Sequence, residues 1–293
     1  MARRHLGTYL AVSVIWGCTW FFILHVVRAF GGGGVALRAV IGAAVLLIAA
    51  RASGKRLQFG PLGPVVVLGA TSVAAQFMGF NLATPMVGTS VTAIFAATIP
   101  MFAMVIGHAW HLERITPTGF LGLALGLLGV VFIVGFPSVA IDATFIVGCL
   151  LCVIGGVGAA YGSNYARRSL QGIGYWEQTI GSFLTGGVMM LPLFVIDPPN
   201  AMPQPIDYFY LAVLAVISTG IGYVLYFKLV AEIGASSASS VEFLVTGIAV
   251  AIGAGFLGET LTHFQFVGLG LVMLGCVLVL DLVPRRRRAS GVQ

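Results

Sequence analysis

The sequence predicts an all-α integral membrane protein of ten transmembrane helices, arranged as two five-helix repeats of opposite orientation, with both termini in the cytosol. Three observations predict this fold: an apolar composition, a series of ten apolar segments, and an internal repeat. Of the 293 residues, 59% are hydrophobic and 8% are charged, and the mean hydropathy is +1.04. Soluble domains carry about 25% charged residues, so most of this surface cannot face water.

The apolar segments give the order of the predicted helices. A membrane-spanning helix needs about 20 apolar residues. The segments that meet this length are residues 7–27, 33–51, 63–83, 88–110, 117–136, 144–165, 175–196, 208–230, 236–257 and 262–282. No cleavage pattern follows the first segment, so we expect it to remain as an uncleaved span. The connections are short and leave no soluble domain for an active site, so we expect the function to reside inside the bilayer.

An internal repeat relates the two halves of the chain. Residues 87–134 align with residues 233–280 at a constant offset of 146 and without a gap. Each copy has an apolar segment, a turn that carries a glutamate, and a second apolar segment rich in glycine. The positions that coincide include Gly88/Gly234, Ser90/Ser236, Gly107/Gly253, Glu113/Glu259, Thr116/Thr262, Gly122/Gly268 and Gly129/Gly275. The repeat predicts one five-helix unit at residues 1–140 and a second at residues 141–293.

The basic residues predict the orientation of these spans. With a cytosolic N-terminus, thirteen of the 15 Lys and Arg residues lie on the cytosolic side, Arg28 lies outside, and Arg38 lies within a span. Membrane proteins concentrate Lys and Arg on that side, so the net charge of +6 needs no nucleic-acid partner. Because each half has an odd number of spans, the second half is inverted relative to the first. Inverted repeats with a site near the midplane are typical of secondary transporters.

Several motifs resemble those of the EamA-type exporters in the drug/metabolite transporter superfamily. They cover nearly the whole chain and are Trp16-Gly17, Arg38, Gly88-Thr-Ser, Pro100, Gly107…Glu113, Gly253…Glu259, Gly122/Gly129 and Gly268/Gly275. The resemblance implies a ten-helix protein of the cytoplasmic (inner) membrane. It also implies carriage of small organic metabolites, often amino acids, usually outward.

The chain departs from the family pattern at two places. The ninth span has Thr246 where the family usually has a proline, so only the fourth span, with Pro100, is expected to carry the proline kink of this pair. The residues before Arg38 are Gly31–Gly34 rather than a proline-containing turn. Because glycine is conformationally permissive, we expect this entrance to be flexible.

Two ionisable residues lie several positions inside predicted spans. Charged groups within a membrane are costly and are functional candidates by default. Arg38 could bind a substrate carboxylate, because a guanidinium forms paired hydrogen bonds with that group, or it could bond to neighbouring helices. Glu242 has no acidic counterpart in the first repeat, where the equivalent residue is Ala96. It could exchange a proton and so couple transport, hold a substrate ammonium group, or pack as a neutral group against Ser237 or Thr246.

Aromatic residues recur at helical spacing on four spans, interleaved with amide side chains. Residues four apart lie on one helix face, and the offset of 146 maps one aromatic pair onto another. Such a surface could line a cavity for an amphipathic substrate, or it could simply pack the core. With Arg38 and Glu242, the predicted substrate-binding residues are Trp16, Trp20, Gln76, Phe77, Phe80, Asn81, Tyr161, Asn164, Tyr165, Tyr223 and Tyr226.

The repeated acids Glu113 and Glu259 each stand in a turn before a helix. Because a carboxylate satisfies free N–H groups at a helix N-terminus, we expect a capping role, with gating as the alternative. Gly-x-x-x-Gly pairs such as Gly122/Gly126 allow close helix contacts, either within a monomer or in a weak homodimer.

These patterns favour a secondary carrier that exports amino acids, with aromatic or hydrophobic ones as an option, by alternating access. Efflux of drugs, nucleosides or purines is the alternative substrate class. An enzyme is disfavoured because no catalytic set or metal-ligand spacing lies at membrane depth, and no cofactor motif is present. A channel would not need an inverted repeat. The expected partners are a small-molecule substrate, the lipid bilayer and protons.

Overall fold

The computed structural model describes residues 3–112, 116–135, 141–199, 202–233, 238 and 241–279, and these residues form helices and turns without a strand. The first half contains α1 (Arg3–Phe30), α2 (Gly32–Ala52), α3 (Leu62–Val87), α4 (Thr89–Ala96), α5 (Ile99–Ala109) and α6 (Pro117–Gly135). The second half contains α7 (Ala143–Ser169), α8 (Tyr175–Met189), α9 (Leu193–Ile196), α10 (Pro205–Val213, Leu214–Ile221 and Gly222–Ile233), α11 (Val241–Phe256) and α12 (His263–Val279).

The described helices are those of a membrane protein. Seven helical segments are long and apolar enough to cross a bilayer, when α4 is counted together with α5 and α8 together with α9. Three shorter apolar helices accompany them, at Pro117–Ile133, Leu244–Phe256 and His263–Gly275. Many large apolar side chains are exposed, among them Phe120, Leu150 and Phe266, as expected where lipid rather than water surrounds the protein.

The turn between α1 and α2 differs from the flexible entrance that the glycines predict. Only Gly31 lies outside the helices, with φ of 59°, in the left-handed region that favours glycine. The other three glycines begin α2 and are buried. The Gly32 amide donates to the Asp197 backbone carbonyl at 3.0 Å and to its carboxylate at 2.8 Å. A Cβ on Gly33 would lie 2.7 Å from the ring of Phe194, so the expectation of flexibility is wrong: the glycines allow close packing against the second half.

The fourth span is interrupted and its counterpart in the second half is not. Helix α4 ends at Ala96 and α5 begins at Ile99, with Pro100 in its first turn. Helix α11 runs through Thr246 without a break. Proline removes a backbone donor and breaks a helix, which explains why, of these two equivalent spans, the one with Pro100 is divided.

Helices α3 and α10 each contain a π-helical segment, at Gly69–Ala75 and Leu214–Ile221. The offset of 146 that relates the two halves maps residues 69–75 onto 215–221. Both segments lie just before the aromatic residues that the sequence singles out. Single π turns are rare and frequently lie at functional sites.

The equivalent helices α6 and α12 cross each other antiparallel, with glycine at the contact. A Cβ on Gly129 would lie 2.6 Å from the Gly268 carbonyl oxygen, and a Cβ on Gly275 would lie 2.5 Å from the Gly122 carbonyl oxygen. The offset of 146 maps Gly129 onto Gly275 and Gly122 onto Gly268, so the two contacts are equivalent under exchange of the repeats. Gly126 contacts Met101, so this glycine set packs within the chain.

Candidate binding cavity

A cavity lies where helices of both halves meet, at the level of the break between α4 and α5. Its empty volume is about 460 Å³, including space that is open to solvent. Its lining residues are Trp16, Thr19, Trp20, Ile23, Gln76, Phe77, Phe80, Asn81, Ala96, Ile99, Tyr223, Glu242 and Val245. Helices α1, α3, α4 and α5 contribute from the first half, and α10 and α11 contribute from the second.

Aromatic rings form much of the cavity wall. The ring centroids of Trp16 and Tyr223 are 4.9 Å apart, and those of Trp20 and Phe80 are 5.8 Å apart in an edge-to-face arrangement. Phe77 and Tyr223, which the offset of 146 relates, contact each other at 6.0 Å. Rings at these distances attract one another and hold a rigid surface, so the predicted aromatic set becomes a fixed wall.

The π-helical segment of α10 holds two side chains of the first half in place. The Trp16 indole N–H donates to the Ser218 carbonyl at 3.2 Å, and Arg38 Nε donates to the Thr219 hydroxyl at 2.8 Å. A helix with a π segment frees backbone groups from the regular ladder, and a free carbonyl can accept from outside the helix. The segment thus connects the halves directly beside the cavity.

Arg38 lies behind the cavity wall and is only 4% exposed. Besides its bond to Thr219, its Nη1 donates to the Asn81 side chain at 2.9 Å. Its guanidinium carbon lies 4.0 Å from the centroid of the Phe77 ring. Of the two readings that the sequence left open, this geometry fits the bond to neighbouring helices, because the guanidinium is held by protein groups and does not line the cavity.

Glu242 lines the cavity and is 9% exposed. Among the described lining residues it is the only one with a carboxylate, and none has an ammonium or guanidinium group. The Thr246 hydroxyl donates to the Glu242 and Ala93 backbone carbonyls, and Ser237, the other predicted neighbour, lies outside the described residues. Glu242 is therefore the residue of the described lining that can exchange a proton or pair with a cation.

The predicted residues on α7 do not reach the cavity. The Tyr161 ring packs edge-to-face on Trp110 with centroids 4.9 Å apart, and it stacks with Tyr165 at 6.2 Å. The Asn164 amide donates to the Ala103 carbonyl at 3.0 Å. Tyr226 also lies off the lining and packs against Trp16. Spacing showed that these residues share helix faces, but it did not show which element each face contacts.

Several apolar lining residues were not predicted. Ile23 completes a face of α1 with Trp16, Thr19 and Trp20, since these positions follow the helical period. Ala96 and Ile99 flank the helix break, and Val245 is one turn after Glu242. The helical period could have identified Ile23 and Val245; the two residues at the break depend on tertiary structure.

At one end of the cavity, a carboxylate of the second half caps a helix of the first half. Glu259 accepts hydrogen bonds from the Thr89 amide at 2.6 Å, the Thr89 hydroxyl at 2.7 Å and the Ser90 amide at 2.9 Å. Gly88 precedes this helix with φ of 89°, and a Cβ on it would lie 3.2 Å from the Glu259 carboxylate. The equivalent acid, Glu113, lies outside the described residues. The capping expected for Glu259 is found, but across the two halves.

Comparisons with known proteins agree with this architecture. The model of the EamA-like transporter family matches residues 6–135 and 146–281. The uncharacterized inner membrane transporter YedA of Escherichia coli strain K12 is 24% identical over 93% of this chain and 89% of its own length. The uncharacterized transporter YoaV of Bacillus subtilis strain 168 is 26% identical over 98% of this chain and 100% of its own. A crystal structure shares the fold, with a TM-score of 0.69 and 17% identity over 96% of this chain and 98% of that one.

Proposed function

Because the chain belongs to the EamA-like transporter family, we propose that it is a secondary carrier that moves small organic metabolites outward by alternating access. Amino acids, especially aromatic or hydrophobic ones, are the proposed first substrate class. The protein is a multi-pass transporter of the cytoplasmic (inner) membrane and not an enzyme.

The observation that carries this proposal is the cavity between the two halves. Helices of both halves contribute aromatic rings and polar groups to one surface. A site between two repeats becomes accessible from either side when one repeat rocks against the other. An aromatic wall with few polar groups suits a small amphipathic compound.

The packing of equivalent helices supports the inversion of the two proposed five-helix repeats, and the proposal extends to ten spans with cytosolic termini. Helices α6 and α12 are antiparallel, as described above. Helices α2 and α8 are antiparallel as well. Gly187 of α8 contacts Val40 of α2, whereas Leu193, further along the chain in α9, contacts Gly32 at the start of α2. Equivalent elements that run in opposite directions are expected when a two-fold axis in the membrane plane relates the halves.

The Glu259 cap supports closure of the cavity at one end. Thr89 and Ala96 are at opposite ends of α4, and the seven residue steps between them span about 10 Å. The cap thus lies about 10 Å beyond the cavity and joins α4 to the end of α11. In the proposed topology this end faces outward, so the bond between the halves holds the outer entrance shut.

Glu242 is the proposed coupling residue. A buried carboxyl group is costly to ionise, so it exchanges protons and binds cations readily. If it couples transport to protons, Glu242→Gln will abolish the response to a pH gradient. A variant that keeps its response to the gradient would remove Glu242 from this role.

Counterflow in proteoliposomes tests the proposed function. Vesicles are loaded with an unlabelled amino acid, and uptake of the labelled compound is followed, with nucleosides and a lipophilic cation as comparisons. A carrier will concentrate label only when the internal compound is a substrate. Flux that ignores the internal compound would refute alternating access and favour a channel.

A further inference from the structure

We propose that the cavity recognises the amino group of its substrate and disfavours a free carboxylate, so that amphipathic amines are carried better than the corresponding amino acids. This inference rests on the proposed carrier function and, within it, places amines ahead of amino acids as substrates. It derives from which polar groups of the cavity are already bonded within the protein and which remain for a ligand.

Most polar groups at the cavity already have protein partners. The Trp16 N–H donates to Ser218, and the Thr19 hydroxyl donates to the Ile15 carbonyl at 2.8 Å. The Asn81 side chain accepts from Arg38 and donates to the Phe77 carbonyl at 2.8 Å. A ligand that took these groups would have to break existing buried bonds, which costs the desolvation of the partner left behind.

The Gln76 and Tyr223 side chains, which also line the cavity, interact with each other. Two further groups remain for a ligand. Glu242 presents its carboxylate to the cavity. Trp20, which is 7% exposed, has an indole N–H that finds no acceptor among the described residues. A buried unpaired donor is rare and indicates a missing partner. The Glu242 carboxylate matches a protonated amine, and the Trp20 N–H matches a neutral hydrogen-bond acceptor. The complementary ligand therefore has both groups on an apolar body.

A substrate carboxylate has no matching cation at the cavity surface. Among the described residues, Arg38 is the one buried arginine or lysine, and its Nε and Nη1 donate to Thr219 and Asn81 while Phe77 covers its face. A carboxylate would stay unpaired in a low-dielectric site, near Glu242, and both effects oppose its binding. An amide or ester at the same place could instead accept from Trp20.

The test uses four compounds that differ only at the polar end: phenylalaninamide, phenethylamine, phenylalanine and 3-phenylpropionate. Binding to the purified full chain is measured by calorimetry, and transport is measured by counterflow. We expect phenylalaninamide to bind best, phenethylamine next, phenylalanine about tenfold more weakly, and 3-phenylpropionate not at all. Trp20→Phe keeps an aromatic ring and should remove the advantage of phenylalaninamide over phenethylamine, about threefold.

Variants of Glu242 separate charge from folding. Glu242→Gln should lower amine affinity about tenfold or more, because a charge-assisted bond is lost, whereas Glu242→Asp keeps the anion and should retain the order of the compounds. Glu177→Gln, in the first turn of α8, where Glu177 accepts from the Gln58 amide, serves as the control and should match the wild type.

The outcomes distinguish this inference from the proposed function. Counterflow of phenylalanine equal to or better than that of the amines, unaffected by Glu242→Gln, would overturn amine recognition while the carrier remains. Absence of counterflow for the amine-bearing compounds, when a nucleoside shows it, would overturn the inference alone; absence of counterflow for every compound tested would refute the proposed function itself. Binding of 3-phenylpropionate as tightly as phenethylamine would also overturn the inference.

Discussion

Removal of the Glu259 carboxylate should open the end of the cavity that it closes. In the structure, this side chain joins the connection between α11 and α12 to the first turn of α4 through the Thr89 and Ser90 amides and the Thr89 hydroxyl. Glu259→Ala removes all three bonds. Glu259→Gln keeps one acceptor oxygen but removes the negative charge.

The magnitude follows from the geometry. A side-chain cap at a helix N-terminus contributes about 0.5–2 kcal/mol, and a negative charge there adds about 0.3–1 kcal/mol. Because Glu259 is half-buried, solvent reduces the charge effect, and we take about 2 kcal/mol for Glu259→Ala. If these bonds exist only in the closed form, the ratio of open to closed shifts about 30-fold. For Glu259→Gln the loss of charge gives about two- to fivefold, and the loss of the bonds to one oxygen adds to it, so the shift lies between those of the parent and Glu259→Ala.

The assay measures access to the cavity from outside. In a chain whose four native cysteines are replaced, Thr19→Cys places one thiol on the cavity lining. Right-side-out vesicles are treated with a membrane-impermeant maleimide, and the labelling rate is compared with and without the change at Glu259. We expect faster labelling in Glu259→Ala, a smaller increase in Glu259→Gln, and the reverse order in inside-out vesicles.

A matched control comes from Asp142, which caps its own helix. Its carboxylate accepts from the Phe145 amide at 2.8 Å, so it has the same chemistry but joins no two halves. Asp142→Asn should leave the labelling rate unchanged. A rate in Glu259→Ala that equals the parent, or that rises equally in Asp142→Asn, would refute the closing role of the cross-repeat cap.

Two further predictions concern packing. Arg38→Lys should lower the free energy of unfolding by about 3 kcal/mol, and with it the thermal unfolding temperature in detergent, because lysine cannot form both buried bonds and the ring contact. Arg51→Lys, at an exposed position, should leave that temperature unchanged. Equal stability of both variants would contradict the structural role of Arg38. Gly253→Ala should accelerate outside labelling, because its Cβ would overlap the Glu259 carboxylate at 2.6 Å. Gly247→Ala meets nothing within 4 Å and should behave as the parent, so similar rates in the two variants would show that Gly253 does not support closure.

The cavity could be predicted in part because the aromatic residues recur at the repeat offset. Phe77 and Tyr223 occupy equivalent positions, and the helical spacing of Trp16 and Trp20 indicates a common face; all four line the cavity. Glu242 stood out because a carboxylate inside an apolar segment is costly. The repeat offset, the helical spacing and the position of a carboxylate can each be read from a single sequence, because they depend only on residue type and separation along the chain.

The roles of Arg38 and Glu259 depended on partners that the sequence does not connect. The partners of Arg38, Thr219 and Asn81, come from two other helices, and a buried arginine looks the same in sequence whether it faces a ligand or a protein hydroxyl. Glu259 was expected to cap a helix, but the helix it caps is 169 or 170 residues away in sequence. Only the packing of the two halves brings these groups together.

The paired π-helical segments determine which face of α3 and of α10, and therefore which side chains, point toward the cavity. A π segment accommodates about one extra residue compared with an α-helix, and one residue corresponds to a rotation of about 100°. The ring-bearing stretches Gln76–Val87 and Gly222–Ile233 begin where these segments end. Deleting a single residue within residues 69–75 or 214–221 would therefore turn every ring downstream away from the cavity while leaving composition and hydropathy almost unchanged. Insertions and deletions at these positions, more than substitutions, are where a related chain could lose or redirect its binding surface.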